Sequence, residues 1–160
     1  SGGSYLDYAL GLLEDKRLRG HVDIESIEKV LEKYQEYFPQ EEEENLVHGD
    51  FNPANILVKE VGGEYEVSGV LDWEYAFSGS TLADMADMLR YAKDMPKIYE
   101  DAFLRGLESG GFILPNDLQK RVDMLNLVTI LDCMKNGYTK PILIEDCKGL
   151  IEGILQRMRG

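Results

Sequence analysis

At 160 residues, with 44% hydrophobic and 29% charged content, the chain is long enough for one compact domain with its own core and gives no reason to expect two. Its 30 acidic and 17 basic residues leave a net charge of −13 at pH 7. Such a surface repels nucleic-acid phosphate and anionic lipid, and suits a cationic or metal-bound ligand better. No run approaches the ~18 apolar residues of a membrane span, and residues 1–12 lack the basic and apolar make-up of a secretory signal. The expectation is therefore a cytoplasmic protein with neither nucleic acid nor membrane as partner.

Ser1-Gly2-Gly3 reads as a linker. Tyr5 to Leu18 then carries Leu6, Leu10 and Leu13 at helical spacing, closed by Gly20. Asp23 stands where an N-cap belongs, and Ile24, Ile27, Val30, Leu31, Tyr34 and Phe38 predict a second helix reaching towards Pro39. The four like charges of Glu41 to Glu44 predict a solvated loop, since contiguous carboxylates repel one another unless the backbone folds them round a cation.

The pattern changes at Leu46. Asn55 to Lys59 and Glu66 to Leu71 are rich in Ile, Val and Leu around Gly62-Gly63, which predicts a hairpin with a turn of more than two residues. With its midpoint at the glycine pair, Asn55 lies near Val70 and Asp72 emerges beside Asn55. Helical stripes follow. They run through Leu82, Met85, Ala86 and Leu89; through Ile98, Ala102, Phe103 and Leu107 up to Gly110-Gly111; through Leu118, Val122, Leu125, Thr129 and Met134; and, after Pro141, through Cys147, Ile151, Ile154 and Met158. These are core faces, and the fold class is mainly α with a small β-hairpin, an α+β domain. Cys133 and Cys147 are far apart and lack metal-ligand spacing, so they read as reduced, buried thiols; with only His21 and His48 in the chain, zinc has no ligand set.

Two segments carry chemistry. Leu46 to Val58 packs His48, Asp50, Asn52 and Asn55 between apolar runs, and a loop so polar between buried strands commonly holds side chains in place. The same residues also read as a tight Asx-type turn at Asn52-Pro53 around a hydrogen-bonded His48. The second segment, Val70 to Ala76, ends a strand with Asp72-Trp73-Glu74. A carboxylate from Asp72 and an amide oxygen from Asn55 are hard oxygen ligands suited to Mg²⁺, which leaves Asp50 to orient a nucleophile.

His48-x-Asp50-x-x-x-x-Asn55, a short hairpin and then Asp72-Trp73-Glu74 resembles the aminoglycoside phosphotransferase and choline kinase family, whose members share the protein-kinase-like fold. Protein kinases carry a related H-R-D-x-x-x-x-N loop and a metal-binding D-F-G; Gly49 and Trp73 favour the small-molecule branch. Gly79 to Ala86 resembles the family's glycine-to-Asp-Leu-Ala segment with Asp84 at the aspartate, but has Ser80-Thr81 where Asp-Pro is frequent and Met85 for Leu.

The resemblance implies that Asp50 is the catalytic acid/base and that Asn55 and Asp72 hold Mg²⁺ on the phosphates of ATP or GTP. His48 braces the loop, Glu74 stands beside the metal or a cationic substrate, and Asp84 caps or braces the following helix. It implies one domain over 1–160, the C-terminal catalytic lobe, with the N-terminal nucleotide lobe as a missing partner. The γ-phosphoryl group would pass to a hydroxyl of a small, cationic molecule of aminoglycoside, choline-like or amino-sugar type, and the chain alone would be inactive. Asp123, Asp132, Glu145 and Asp146 are open as acceptor contacts. The alternative is a non-catalytic ligand-binding or interaction module on the same fold.

Overall fold

The computed structural model describes residues 4–39 and 43–159. The Ser1–Gly3 linker, and Glu41 and Glu42 of the acidic run, lie outside them. The expected α+β class holds, with six α-helices and two small antiparallel ladders among the described residues. The chain divides into two compact units, residues 1–40 with 116–160 and residues 41–115.

The first unit is helical. Helix α1 (Tyr5–Leu13) opens on a capping box in which the Ser4 hydroxyl accepts from the Asp7 amide and the Asp7 carboxylate from the Ser4 amide. It stops five residues before the expected Leu18. The Asp15 carboxylate there takes the Arg17 amide at 2.9 Å and grips the Arg17 guanidinium, and so draws the backbone out of the helix. Asp23 caps α2 (Ile24–Lys33), accepting from the Ser26 amide and hydroxyl. The last expected turn of that helix tightens into a 3-10 turn at Gln35–Tyr37, which lets buried Phe38 stack on Tyr5 with ring centroids 5.5 Å apart.

Helix α5 (Leu118–Asn136) is the core of this unit. Every residue from Val122 to Val128 is buried, while Thr129, expected on the core face, is exposed and back-bonds to Leu125 O. It packs on α1 and on α6 (Pro141–Arg159), which starts at Pro141 itself, a first-turn position where a missing N–H costs nothing. A helix buried on so many sides carries polar groups only where they are matched. Asp123 takes both forks of the Arg157 guanidinium at 2.9 Å and one N–H of Gln119 at 3.0 Å. Of the two cysteines, both expected to be buried, only Cys147 is; Cys133 is exposed.

The second unit holds the strands. Strand β2 (Ile56–Val61) pairs with β3 (Glu64–Val70) in the register Ile56↔Val70 and Val61↔Glu64, with an irregularity between Leu57 and Val58. The turn is shorter than expected. Only Gly62 and Gly63 make it, both at positive φ, the conformation of a type I′ turn that matches the twist of its strands. The strands are also not the buried pair that their composition suggests: Val58, Val67 and Tyr65 are exposed, so their side chains serve strand propensity more than burial.

A second ladder, absent from the sequence expectations, joins β1 (Asn45–Val47) to β4 (Phe77–Gly79) in the register Val47↔Phe77. Helix α3 (Leu82–Leu89) buries Leu82, Met85, Ala86 and Met88. Helix α4 (Lys97–Ser109) has no buried residue; Ile98, expected in its core stripe, is 65% exposed and Ala102 is exposed too, with Phe103 and Leu107 half-buried. No helix among the described residues is long and apolar enough to cross a membrane.

Asp123 is 3% exposed and Arg157 36%. Arg157→Met therefore leaves a buried carboxylate with only Gln119, and is expected to destabilise the protein by at least about 2 kcal/mol in urea unfolding.

Candidate active site

The two chemistry-bearing segments are the two loops left between the ladders. Residues 48–55 run from β1 to β2, and residues 71–76 run from β3 to β4. Each loop is therefore pinned at both ends by strands that pair with the strands flanking the other. The Leu71 amide donates to Asn55 O at 2.8 Å, which carries the β2–β3 pairing one step further and brings Asp72 next in the chain. This is the juxtaposition expected from the hairpin midpoint.

His48 is buried and ties the loops together. Its Nε2 lies 2.7 Å from Leu71 O, and its Nδ1 accepts the Asp50 amide at 3.2 Å. An amide can only donate and a carbonyl can only accept, so the ring carries its proton on Nε2. Trp73 packs on the imidazole at 4.6 Å between centroids and Phe51 at 5.9 Å; the Trp73 indole N–H donates to Val70 O.

Gly49 sits at φ +83°, and a Cβ there would lie 2.4 Å from the Tyr75 carbonyl oxygen. The two loops thus touch backbone to backbone, at a distance only glycine permits. Asp84, in the first turn of α3, completes the frame. One carboxylate oxygen accepts the His48 amide at 2.9 Å and the other accepts the Gly49 amide at 3.0 Å. The sequence reading has Asp84 capping or bracing the helix that follows; its hydrogen bonds go instead to the amides of the preceding loop.

Within that frame Asp50 is oriented by two amides. Asn52 Nδ2 donates to Oδ1 at 2.8 Å and Asn55 Nδ2 to Oδ2 at 3.0 Å. Asn55 Nδ2 also bonds Asp50 O at 2.9 Å, so both of its recorded hydrogen bonds leave through nitrogen. Its side-chain Oδ1 accepts no hydrogen bond among the described residues, and since no fully buried side-chain oxygen is left without a partner there, it lies within reach of solvent. The Asn52 side chain caps the 3-10 turn at Pro53–Asn55 by accepting the Ala54 amide; the Asx-turn reading is thus also realised, inside the loop that orients Asp50.

Asp72 is the single non-glycine residue at positive φ among the described residues, with φ and ψ both 59°. Left-handed backbone costs about 1 kcal/mol or more outside glycine, and Asp tolerates it better than most. Its side chain is exposed and forms no hydrogen bond or ion pair among the described residues; the same holds for Glu74. The free oxygens of Asn55 and Asp72 fit a hard cation that takes few protein ligands and completes its shell with phosphate and water. No three His, Cys, Asp or Glu side chains among the described residues form a metal cage.

Of the helical acids left open as acceptor contacts, Asp123 is taken up by Arg157 and Gln119, Asp132 accepts from the Tyr8 hydroxyl and Asn136, and Glu145 pairs with Lys148. Sequence reasoning placed Asn52 in a turn and missed that its amide also orients Asp50. An amide two residues after an acid and just before proline was the available signal.

The family model described as "Phosphotransferase enzyme family" matches residues 4–120. The chain is also 46% identical over 48 residues to "Acyl-CoA dehydrogenase family member 11" of Gallus gallus, a stretch covering 30% of this chain and 6% of that protein. It is 39% identical over 67 residues to the Homo sapiens protein of the same name, covering 41% of this chain and 8% of that one. The chain thus spans less than a tenth of the length of these relatives. No solved structure matches it.

Gly49→Ala is expected to lower stability by more than about 2 kcal/mol, combining a left-handed backbone with a clash against Tyr75 O. Urea unfolding checks this, and a change within about 0.5 kcal/mol would mean that the loops do not meet at this glycine.

Proposed function

This chain belongs to the phosphotransferase enzyme family, and from that premise we propose that it carries the proton-accepting and metal-binding half of an ATP- or GTP-dependent phosphotransferase acting on a hydroxyl of a small molecule. The observation that supports this most is the division of labour in Asn55. Its amide hydrogens hold Asp50, while its oxygen stays open on the loop whose last carbonyl pairs with Leu71, the residue before Asp72.

In this reading Asp50 accepts the proton of the acceptor hydroxyl as that oxygen forms its bond to the γ-phosphorus and the bond to the β-phosphate oxygen breaks. The Asn52 and Asn55 amides fix the carboxylate direction and leave lone pairs for the incoming proton. Asn55 and Asp72 would hold Mg²⁺, which when bound neutralises charge on the transferring phosphates. Glu74, exposed and unpaired, faces either that ion or a cationic acceptor. A net charge of −13 favours a cationic acceptor of aminoglycoside, choline-like or amino-sugar type. Two cysteines that form no disulfide among the described residues suit a cytoplasmic setting.

Before β1 the described residues form only helices and turns, with no strand-rich nucleotide fold or glycine-rich phosphate loop. The chain is therefore read as one C-terminal lobe whose nucleotide grip comes from a separate N-terminal lobe. Isothermal titration of the 160-residue chain with Mg-ATP is expected to show no micromolar binding; a micromolar Kd would sink the two-lobe reading.

The function itself is tested in the longer protein with ATP or GTP and a panel of hydroxyl acceptors. Asp50→Ala is expected to lower kcat by ~10²–10⁴-fold, and Asp72→Ala to raise the Mg²⁺ concentration needed for half-maximal rate. Phosphorylation unchanged by Asp50→Ala for every acceptor would remove the catalytic role. A wild-type protein that binds such ligands without transfer would favour the non-catalytic module.

A further inference from the structure

We propose that the end of the helical unit where α1 and α5 finish is a docking surface for an acidic segment of another protein. In a chain of net charge −13, residues 16–21 hold Lys16, Arg17, Arg19 and His21 without an acid, and residues 133–144 hold Lys135 and Lys140 without one. The two stretches meet. Helix α1 packs on α5, the Tyr8 hydroxyl reaches Asp132 at 3.0 Å, and the Arg17 guanidinium lies 5.3 Å from the Tyr138 ring centroid. Lys16, Arg17, Arg19 and Lys140 are exposed, Lys135 is half-buried and Tyr138 is 49% exposed.

Cations at helix C-termini often serve only to offset the helix dipole, an effect confined to the last turn. Lys135 lies in the last turn of α5 and fits that role. Helix α1 has no basic residue in its last turn; Lys16, Arg17 and Arg19 follow its C-cap, Glu14. Lys140 directly precedes α6, at the end of a helix where a cation is disfavoured, and no acid in the first turn offsets it. Nor are these charges spent within the fold. Asp15 engages Arg17, and Asp132 is taken by Tyr8 and Asn136, which leaves Glu14 at the border. Lys16, Arg19, Lys135 and Lys140 form no ion pair among the described residues, as Lys29, Lys97 and Arg157 do.

The surface is held in place before any partner arrives. Leu18, between the two arginines, is fully buried, and the amides of Leu18, Arg19 and His21 close its loop on the carbonyls of Asp15, Lys16 and Leu18. The Lys140 amide donates to Gly137 O at 2.9 Å in the facing turn. Binding therefore orders little backbone. Arg and Tyr, which meet at its centre, are enriched in protein interfaces, and Arg19 offers an unengaged guanidinium fork to a carboxylate. The class of partner follows from charge. Screening confines attraction to about 8 Å at physiological salt, so a short acidic segment meets the cations and little else. A nucleic-acid duplex or an anionic bilayer is a wide negative surface and would also face the acidic remainder of the chain. Docking here does not depend on the reaction proposed above.

Fluorescence anisotropy of a fluorescein-labelled oligoglutamate peptide tests this on the 160-residue chain. The peptide is expected to bind at low salt and to be released as salt rises. Lys16→Glu/Lys140→Glu is expected to weaken binding by roughly tenfold or more, and Lys16→Gln/Lys140→Gln by roughly threefold. Lys59→Glu/Arg105→Glu makes the same change in net charge at two exposed residues of the other unit, which also form no ion pair among the described residues. It is expected to stay within about twofold of wild type.

No binding at low salt, or an equal loss in both charge-reversal variants, would overturn the docking surface. Tighter binding of a single-stranded oligonucleotide, or of vesicles of phosphatidylserine and phosphatidylcholine, than of the peptide at the same salt would overturn an acidic protein segment as its occupant.

Discussion

The amides of His48 and Gly49 point away from the β1–β4 ladder just as the chain leaves it, and one carboxylate receives both. A buried amide without a partner costs about 1–3 kcal/mol, so Asp84 fixes where the loop may begin. From that point the remaining contacts follow in order. Gly49 turns into the left-handed region against Tyr75, His48 swings its ring to Leu71 and back to the Asp50 amide, and the Asp50 side chain comes under the amides of Asn52 and Asn55. Removing Asp84 would leave the later links with the right partners and no fixed origin.

The frame is assembled from weak parts. A lone two-stranded hairpin is marginal in water, and the β1–β4 ladder has only three residues on each side. What strengthens them is closure: two loops share both ends, meet at Gly49 and Tyr75, and are cross-linked by His48. Conformational freedom lost by one loop is already lost to the other, so each added contact costs less entropy than it would on an isolated loop.

Much of this was legible in the residues. The positions of Asp50, Asn55 and Asp72 around a glycine-centred hairpin follow from strand composition and turn chemistry, and the Asp23 cap follows from one acid before an amphipathic run. Other features were not. The β1–β4 ladder is too short to show a period of two, so nothing in Asn45–Val47 announces a partner thirty-odd residues on. The α4 stripe reads as a core face because periodicity reports which side of a helix is apolar, and says nothing of whether that side is covered. The early end of α1 depended on one side chain, Asp15, competing for a backbone amide, an event smaller than any window of helical spacing.

The Gly62-Gly63 turn has a practical consequence. It lies at the far end of the hairpin from Asn55 and Leu71, separated from them by a six-residue strand of roughly 20 Å, and a Cβ at either glycine would meet nothing within 4 Å. Since the register of the two loops is held at the other end of the strands, this tip is a natural address for a fluorophore, an affinity tag or a short peptide insert. A reporter placed there could follow ligand binding to the loops without occupying the ground on which they stand.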